Sequence, residues 1–168
     1  MIVLIVDGYN IIGDWPELKK LKSHQLEEAR NRLIEMLAEY QAFTGHRVIV
    51  VFDAYGVKGA EKKRKQLKIE VIFTKENETA DERIEKLVNE VKNVKTKVYV
   101  ATSDSVEQWT IFSKGALRKS ARELLIEVQE IESEIQANVK KQEVLRPKSK
   151  IPLSDELLET FEKWRRGK

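Results

Sequence analysis

The sequence contains no cysteine and only two histidines, and this limits the chemistry of any site that it forms. Without cysteine, the chain can form neither a disulfide nor a thiolate zinc site. The histidines, His24 and His46, are not spaced as ligands of one metal ion. A metal site in this chain would therefore use oxygen ligands, which suit hard divalent cations.

Long apolar runs and a strong charge of one sign are also missing. The amino-terminal residues lack the pattern of a signal peptide, and no run of about 18 apolar residues could cross a membrane. Lys and Arg number 31 against 28 Asp and Glu, so the net charge of +3 indicates no particular partner. We expect a reduced, cytoplasmic protein with no membrane partner.

The composition is that of a folded protein. Of the 168 residues, 41% are hydrophobic and 35% are charged. This length can bury a substantial core, and the apolar fraction is too high for a disordered chain. We therefore expect a single globular domain.

A short apolar run at the amino terminus, Ile2–Val6, leads directly into Asp7. A continuous apolar run of this length predicts a strand that is buried on both faces, as in a parallel sheet covered by helices. Asp7 would then lie at the carboxyl end of the strand, where open α/β sheets bind ligands. Gly8 would permit a sharp turn, and Asn10 would bring a second polar group to the same edge.

The same pattern recurs twice. The predicted strand Arg47–Phe52 is followed by Asp53, and the predicted strand Lys97–Ala101 leads into Asp104. A further strand is predicted at Ile69–Phe73. Helical periodicity predicts helices in most of the intervening segments, so the order of elements indicates a mostly parallel sheet with right-handed crossovers.

Capping motifs and apolar spacing place the helices. Thr79-Ala80-Asp81-Glu82 and Ser120–Glu123 match the capping box that begins many helices. Trp109 and Phe112, in a predicted short helix from Ser105, are expected to lie in the core. The other predicted helices are Ser23–Phe43, one from the capping box at Ser120 to Val139, and one from Ser154. A connector over Gln142–Pro152 precedes the last of these.

Carboxylates should converge at one edge of this sheet. Parallel strands would bring Asp7, Asp53 and Asp104 to the same edge, and a helix beginning there would add Asp81 and Glu82. Clustered carboxylates repel one another, and a hard cation relieves that repulsion. Such a metal site typically handles phosphate esters. Taken singly, each acid could instead serve as a cap or a turn residue.

Residues 54–68 are predicted to form a mobile basic loop. Beside an acidic metal site its cations would contact a phosphate backbone, although a basic loop can also be a solvated surface. Tyr9 and Trp15 could stack on a base, but we favour a structural role. The basic residues of this predicted loop are Lys58, Lys62, Lys63, Arg64, Lys65 and Lys68.

Four motifs together resemble one known family. Val6-Asp7-Gly8-Tyr9-Asn10 looks like the opening motif of NYN-domain proteins, a branch of the PIN-like nucleases. Val51-Phe52-Asp53, Thr79-Ala80-Asp81-Glu82 and Thr102-Ser103-Asp104 match the later acidic motifs in order and spacing. The resemblance is to the bacterial YacP-type subfamily, and it covers essentially the whole chain.

The resemblance implies a Rossmann-like α/β/α sandwich and a Mg²⁺- or Mn²⁺-dependent endoribonuclease. For this subfamily it also implies association with the ribosome and cleavage of mRNA there. Residues 1–141 would form the nuclease domain, with 142–168 as a connector and a carboxyl-terminal helix packing on it, and we expect a monomer. By the match, Asp7, Asp81 and Asp104 would bind metal, and Asn10, Asp53 and Glu82 would support catalysis.

Two other functions remain open at this point. A phosphatase of the haloacid-dehalogenase type also has an Asp after its first strand, but it needs a second Asp two residues later, where this chain has Tyr9. A non-catalytic RNA-binding or ribosome-binding module could keep the fold. The acids at all four motifs argue against it, because a protein that only binds polyanions would gain by losing them.

Overall fold

The computed structural model describes residues 1–23, 25–54, 62–66, 68–145 and 165. The strands of this part of the chain are β1 (Ile2–Asp7), β2 (Arg47–Phe52), β3 (Lys62–Gln66), β4 (Ile69–Phe73), β5 (Lys97–Ala101) and β6 (Leu117–Lys119). The helices are α1 (Gly8–Asp14), α2 (Pro16–Lys22), α3 (Leu26–Thr44), α4 (Ala80–Val91), α5 (Ser105–Ser113) and α6 (Ala121–Leu145).

The strands form one mostly parallel sheet, which confirms the predicted α/β fold. Among the described residues the strand order is β3-β4-β2-β1-β5-β6, and every pairing is parallel except that of β3 with β4. The chain leaves β1 toward β2 and β4 on one side and later returns to β5 and β6 on the other. Ligands bind at such a switch point, outside the carboxyl ends of the two strands that flank it, here β1 and β5.

Helices cover both faces of the sheet. On one face, Val3 and Ile5 of β1 belong to a buried apolar cluster that includes Ile84 of α4 and Ile111 of α5. Because strand side chains alternate, Leu4 and Val6 point to the opposite face, and both are fully buried. This double burial explains why β1 reads as a continuous apolar run.

The predicted basic loop is wrong over Lys62–Gln66, which forms β3, the antiparallel partner of β4. The charge of the segment and its lack of apolar alternation are typical of a loop. An edge strand, however, can carry many lysines, which discourage pairing with other chains. Lys68 then turns the chain with a φ of 65°, while Lys58 lies outside the described residues.

Two further segments differ from the prediction. The sequence of Ile11–Lys22, with Trp15-Pro16 inside it, predicts a loop or a short helical turn. The structure instead has most of α1 and all of α2 there. Trp15 between these helices is buried, and its Nε1 donates to the carbonyl oxygen of Ala121 at 2.8 Å, so it cannot stack on a base. The short strand β6 was not predicted, because three residues, two of them basic, carry no periodicity.

The core prediction for α5 is wrong for two aromatic residues. Trp109 is 78% exposed and Phe112 is 66% exposed, whereas Glu107 and Ile111 are buried. The helix therefore turns an acid inward and its largest aromatic side chains outward. Hydrophobicity alone predicts the opposite orientation of α5, with Trp109 buried and Glu107 exposed.

Cα proximity divides the chain into two compact units, residues 1–131 and residues 132–168. The first unit contains the whole sheet. In the second, the described residues are the last part of α6, to Leu145, and Arg165. The connector predicted from Gln142 is thus helical at its start, and the helix predicted from Ser154 lies outside the described residues except for Arg165. The assignment of 1–141 and 142–168 stays a prediction. No described helix is long and apolar enough to cross a membrane.

Candidate metal centre

Asp7 is the last residue of β1, and it is buried at the carboxyl edge of the sheet. Helix α1 begins at Gly8, so the backbone passes from strand to helix without a loop. A Cβ atom at position 8 would overlap the buried ring of Phe52. Glycine is therefore required by this close approach, and Gly8 does not have a positive φ.

Asp81 reaches the same edge from the first turn of α4. Thr79 is the N-cap, and its Oγ1 accepts a hydrogen bond from the backbone N of Glu82 at 3.1 Å, as the capping motif predicts. This bond fixes where the helix begins. The first turn of a helix also favours a negative charge, because the helix dipole is positive there.

Glu107 is the third acid at this edge, and none of the sequence motifs predicts it. Asp104 caps α5, and its Oδ1 accepts from the backbone N of Val106 at 3.0 Å and of Glu107 at 3.4 Å. The capped turn directs Glu107 into the interior, where it is 3% exposed. The available signal was an acid three residues after the capping Asp104, but that spacing is equally typical of a capping box.

Asp7, Asp81 and Glu107 form what we call the acidic group. One carboxylate oxygen from each residue lies within 4.8 Å of the other two. Oε2 of Glu107 accepts from Oγ1 of the buried Thr102 at 3.2 Å, but no donor among the described residues reaches Oε1. Buried polar atoms are nearly always hydrogen-bonded, so Oε1 requires either a shared proton or a cation.

The electrostatics of the acidic group agree with this geometry. Burial raises the pKa of Asp7, and although a hydrogen bond with Glu107 opposes this, the charge of Asp81 raises it further. Burial also raises the pKa of Glu107, as do its hydrogen bond to Asp81 and the charge of Asp7. Without a cation, the acidic group therefore keeps a proton at pH values above the usual pKa range of carboxyl groups. A divalent cation would displace that proton.

Asn10 connects the first turn of α1 with the loop that precedes α5. Its Oδ1 accepts hydrogen bonds from the backbone N and the hydroxyl of Ser103, both at 2.6 Å. Its own backbone N–H donates to Asp7, which helps to keep that carboxylate ionised. Asn10 thus holds the start of α1 against the loop that precedes α5. Its role in catalysis stays a prediction.

The remaining predicted site residues lie outside the acidic group. Asp104 is close enough for its charge to raise the pKa of Asp7, but its carboxylate caps α5. Asp53 is half-buried at the end of β2, and Glu82 is exposed on α4. The structure thus brings two of the three predicted ligands, Asp7 and Asp81, together. The roles of Asp104, Asp53 and Glu82 stay predictions.

The acidic group fits a hard divalent cation. Its donors are carboxylate oxygens from three separate elements, and Mg²⁺ and Mn²⁺ prefer oxygen ligands. Oε1 of Glu107 gives an independent reason, because it is buried without a hydrogen-bond donor in the described part of the chain. A cation would satisfy this atom and relieve the repulsion among the carboxylates.

Comparison with known proteins assigns the family. The sequence profile of the YacP-like NYN domain matches residues 4–166. The chain belongs to this family. The protein YacP of Bacillus subtilis (strain 168) is 62% identical over 167 residues, which are 99% of this chain and 98% of the relative.

Solved structures agree with this assignment. The crystal structure of Rae1 (YacP) from Bacillus subtilis matches with a TM-score of 0.78 and 62% identity, covering 99% of this chain and 96% of that one. A crystal structure of a mutant of the same protein matches with a TM-score of 0.76 and 57% identity over 98% of this chain and 96% of that one. NYN domains are PIN-like nuclease domains, so family membership supports a nuclease with RNA as its substrate.

Proposed function

We propose that this protein is a Mg²⁺- or Mn²⁺-dependent endoribonuclease that cleaves mRNA in association with the translating ribosome, as a monomer in the cytoplasm. The observation that carries the proposal is the acidic group at the switch point of the sheet. Membership of the YacP-like NYN family supports the nuclease activity and RNA as substrate.

Asp7, Asp81 and Glu107 would hold the cation, and the sequence motifs add Asp104 as a predicted ligand. When bound, the cation would supply an activated water and stabilise a departing oxygen. Hydrolysis of the phosphodiester forms a bond from a water oxygen to phosphorus and breaks the bond to one ribose oxygen, which takes up the proton that the water gives up. The supporting bonds from Thr102 and Asn10 keep the carboxylates of Glu107 and Asp7 oriented.

The six predicted cations would bind the RNA backbone or ribosomal RNA. They come after β2 in the sequence and are Lys58, Lys62, Lys63, Arg64, Lys65 and Lys68. An acidic edge repels a polyanion, so cations beside it are needed to hold the substrate. Each phosphate contact should add about 0.7 to the slope of log affinity against log salt for a single strand.

A salt titration of RNA binding tests this part. The quadruple variant K62A/K63A/R64A/K65A should bind RNA more weakly, with a lower salt slope than wild type. A matched control, K19A/K20A/K22A, removes exposed lysines from the end of α2 and should keep the wild-type slope. Equal slopes for wild type and the quadruple variant would mean that β3 carries no phosphate contacts.

A cleavage assay tests the activity itself. Full-length protein with Mg²⁺ should cut a single-stranded mRNA internally, and EDTA should stop the reaction. Asp81→Asn should be inactive while remaining folded, since it removes a charge and a metal ligand without changing size. Cleavage that persists in EDTA, or in the Asp81→Asn variant at the wild-type rate, would contradict the proposed reaction.

The association with the ribosome needs a separate comparison. The same mRNA should be cut faster when it is being translated by purified ribosomes than when it is free. Equal rates on free and translated mRNA would remove the ribosome from the proposal and leave the endonuclease intact.

A further inference from the structure

Helix α5 exposes an apolar stripe to solvent. Val106, Trp109 and Phe112 are 74%, 78% and 66% exposed. They recur every three residues, so they lie along one side of the helix. Soluble proteins seldom expose neighbouring large apolar side chains without a binding role.

The stripe borders a cleft that we call the α5 cleft. The cleft has a volume of about 420 Å³, and its lining residues are Ser105, Gln108, Trp109, Phe112 and Arg118. This size suits a small group such as a nucleobase. Arg118 is the one charged residue among them, so the cleft combines aromatic faces with a positive charge.

Hydrogen bonds fix the polar part of the cleft. Nε2 of Gln108 donates to the carbonyl oxygen of Thr102 at 2.9 Å, and Nη1 of Arg118 donates to Oε1 of Gln108 at 3.0 Å. The guanidinium is thus held beside the aromatic side chains before any ligand arrives. A site ordered in advance loses less entropy on binding.

The α5 cleft and the acidic group are connected through α5 and Thr102. Glu107 and Gln108 are consecutive residues of α5, and both bond to Thr102, Glu107 through its hydroxyl and Gln108 through its carbonyl. Trp109 is two residues beyond Glu107, so the two side chains leave α5 on nearly opposite sides, about 3 Å apart along its axis. A single strand that passes around the amino-terminal end of α5 would place one phosphate at the acidic group and another nucleotide at the cleft.

We propose that the α5 cleft binds a base of the single-stranded RNA substrate at a distance from the scissile phosphate, with the base stacked on Trp109 and Arg118 contacting a flanking phosphate. This inference rests on the proposed nuclease function and adds a substrate-binding subsite to it. Aromatic stacking with an adjacent cation is how proteins bind unpaired bases without reading sequence. The positive charge of Arg118 favours a polyanion as the occupant.

Binding measured in EDTA tests the cleft without cleavage. The probe is a short oligoadenylate, and the comparison ligand is an abasic ribose-phosphate oligomer of equal length. Trp109→Ala should weaken oligoadenylate binding about 5-fold or more, because stacking is worth that much per base. It should leave the salt slope unchanged and remove the preference over the abasic oligomer. Trp109→Phe should keep most of the affinity.

Two further variants separate the contributions. Arg118→Ala should lower the salt slope by about 0.7, as expected for one phosphate contact to a single strand. Phe43→Ala is the control, because Phe43 is also an exposed aromatic residue, 47% accessible, but it lies on α3. It should bind oligoadenylate like wild type.

The outcomes are distinct. Wild-type affinity in Trp109→Ala, or an unchanged preference over the abasic oligomer, would overturn the proposal. If Trp109→Ala instead converts a dimer to a monomer in sedimentation and keeps RNA affinity, the stripe is an interface between copies and the proposal fails. If RNA binding depends on Trp109 but the wild-type protein never cleaves RNA, the proposed nuclease function is wrong and the RNA-binding subsite stands.

Discussion

Glu107 is a charged residue on the otherwise apolar inward face of α5, and it belongs to the acidic group. The inward face of α5 carries Ile111 in the core and Glu107 one turn earlier. Burying a carboxylate is costly unless it is paired, protonated or bound to a metal. Thr102 satisfies only one of the two carboxylate oxygens of Glu107, which leaves the other for a proton or a cation.

Replacing Glu107 tests this interpretation. Glu107→Gln keeps the size of the side chain but removes its charge, so we expect cleavage to fall about 100-fold or more, by at least as much as the loss of a residue that supports a metal ligand. The fold should persist, because repulsion with Asp7 and Asp81 is relieved. Glu130→Gln, at an exposed position of α6, is the control. Near wild-type cleavage by Glu107→Gln would exclude Glu107 as a metal ligand.

Gly8 offers a second test at the level of one residue. A Cβ at this position would overlap the ring of Phe52, which packs between Tyr9 and Phe73 and cannot easily move. Gly8→Ala should therefore lower the free energy of unfolding by about 1–3 kcal/mol, as overpacking does. Urea unfolding measures this loss.

Gly13→Ala is the matched control for Gly8→Ala. Gly13 is also in α1, and a Cβ there would meet only Nζ of Lys22 at 3.8 Å. Alanine favours the helix by up to about 1 kcal/mol, so this change should stabilise the protein or leave it unchanged. If Gly8→Ala loses no more stability than Gly13→Ala, the contact with Phe52 does not explain the glycine at position 8.

Among the elements, the helix starts were predictable from local chemistry. The N-caps Thr79 and Ser120 each accept a hydrogen bond from the backbone N three residues later, at 3.1 Å in both cases. The orientation of α5 about its axis was not predictable, because its aromatic residues favour burial and the structure exposes them. Strand β3 was not predicted for a related reason, since an edge strand need not bury an apolar face.

The two caps provide a paired prediction. Thr79→Ala and Ser120→Ala should each cost about 1 kcal/mol of unfolding free energy, the usual value of an N-cap. Only Thr79→Ala should also slow cleavage, because Asp81 lies in the turn that Thr79 orders. The measurements are urea unfolding and the rate of RNA cleavage. Equal effects of the two variants on the rate would show that the start of α4 does not position the site.

At the scale of the whole molecule, the fold followed from the sequence more fully than the site did. Apolar runs buried on both faces require helices on each side of a parallel sheet, so the layer order and the acidic edge could be derived. Asp7 and Asp81 were predicted because they follow a strand and a cap. Glu107 was not, because its role depends on the rotation of α5, which tertiary packing decides.

The raised pKa values of Asp7 and Glu107 predict how stability depends on pH. Groups whose folded-state pKa is raised stabilise the protein fully below their unfolded values, about 4 for carboxyls. That stability is lost as the pH rises through the folded values. In EDTA, the free energy of unfolding of wild type should therefore fall relative to that of Glu107→Gln between pH 5 and pH 8.

Divalent cation should change this pH dependence. Mg²⁺ binds the ionised carboxylates of the folded state, so it should stabilise wild type most at pH 8 and little at pH 5. Chemical denaturation with and without Mg²⁺ measures the difference. Wild-type stability that does not respond to Mg²⁺ at either pH would argue against a cation at the acidic group.

The central claim is that the acidic group binds the catalytic cation, and a crystal of this protein soaked in Mn²⁺ tests it most directly. Anomalous scattering should give a manganese peak in contact with carboxylate oxygens of Asp7, Asp81 and Glu107, and it would also show whether Asp104 is a ligand. Crystals of Asp81→Asn should lose the peak or lower its occupancy. An active protein whose Mn²⁺ lies elsewhere, or is absent from the acidic group, would contradict the account.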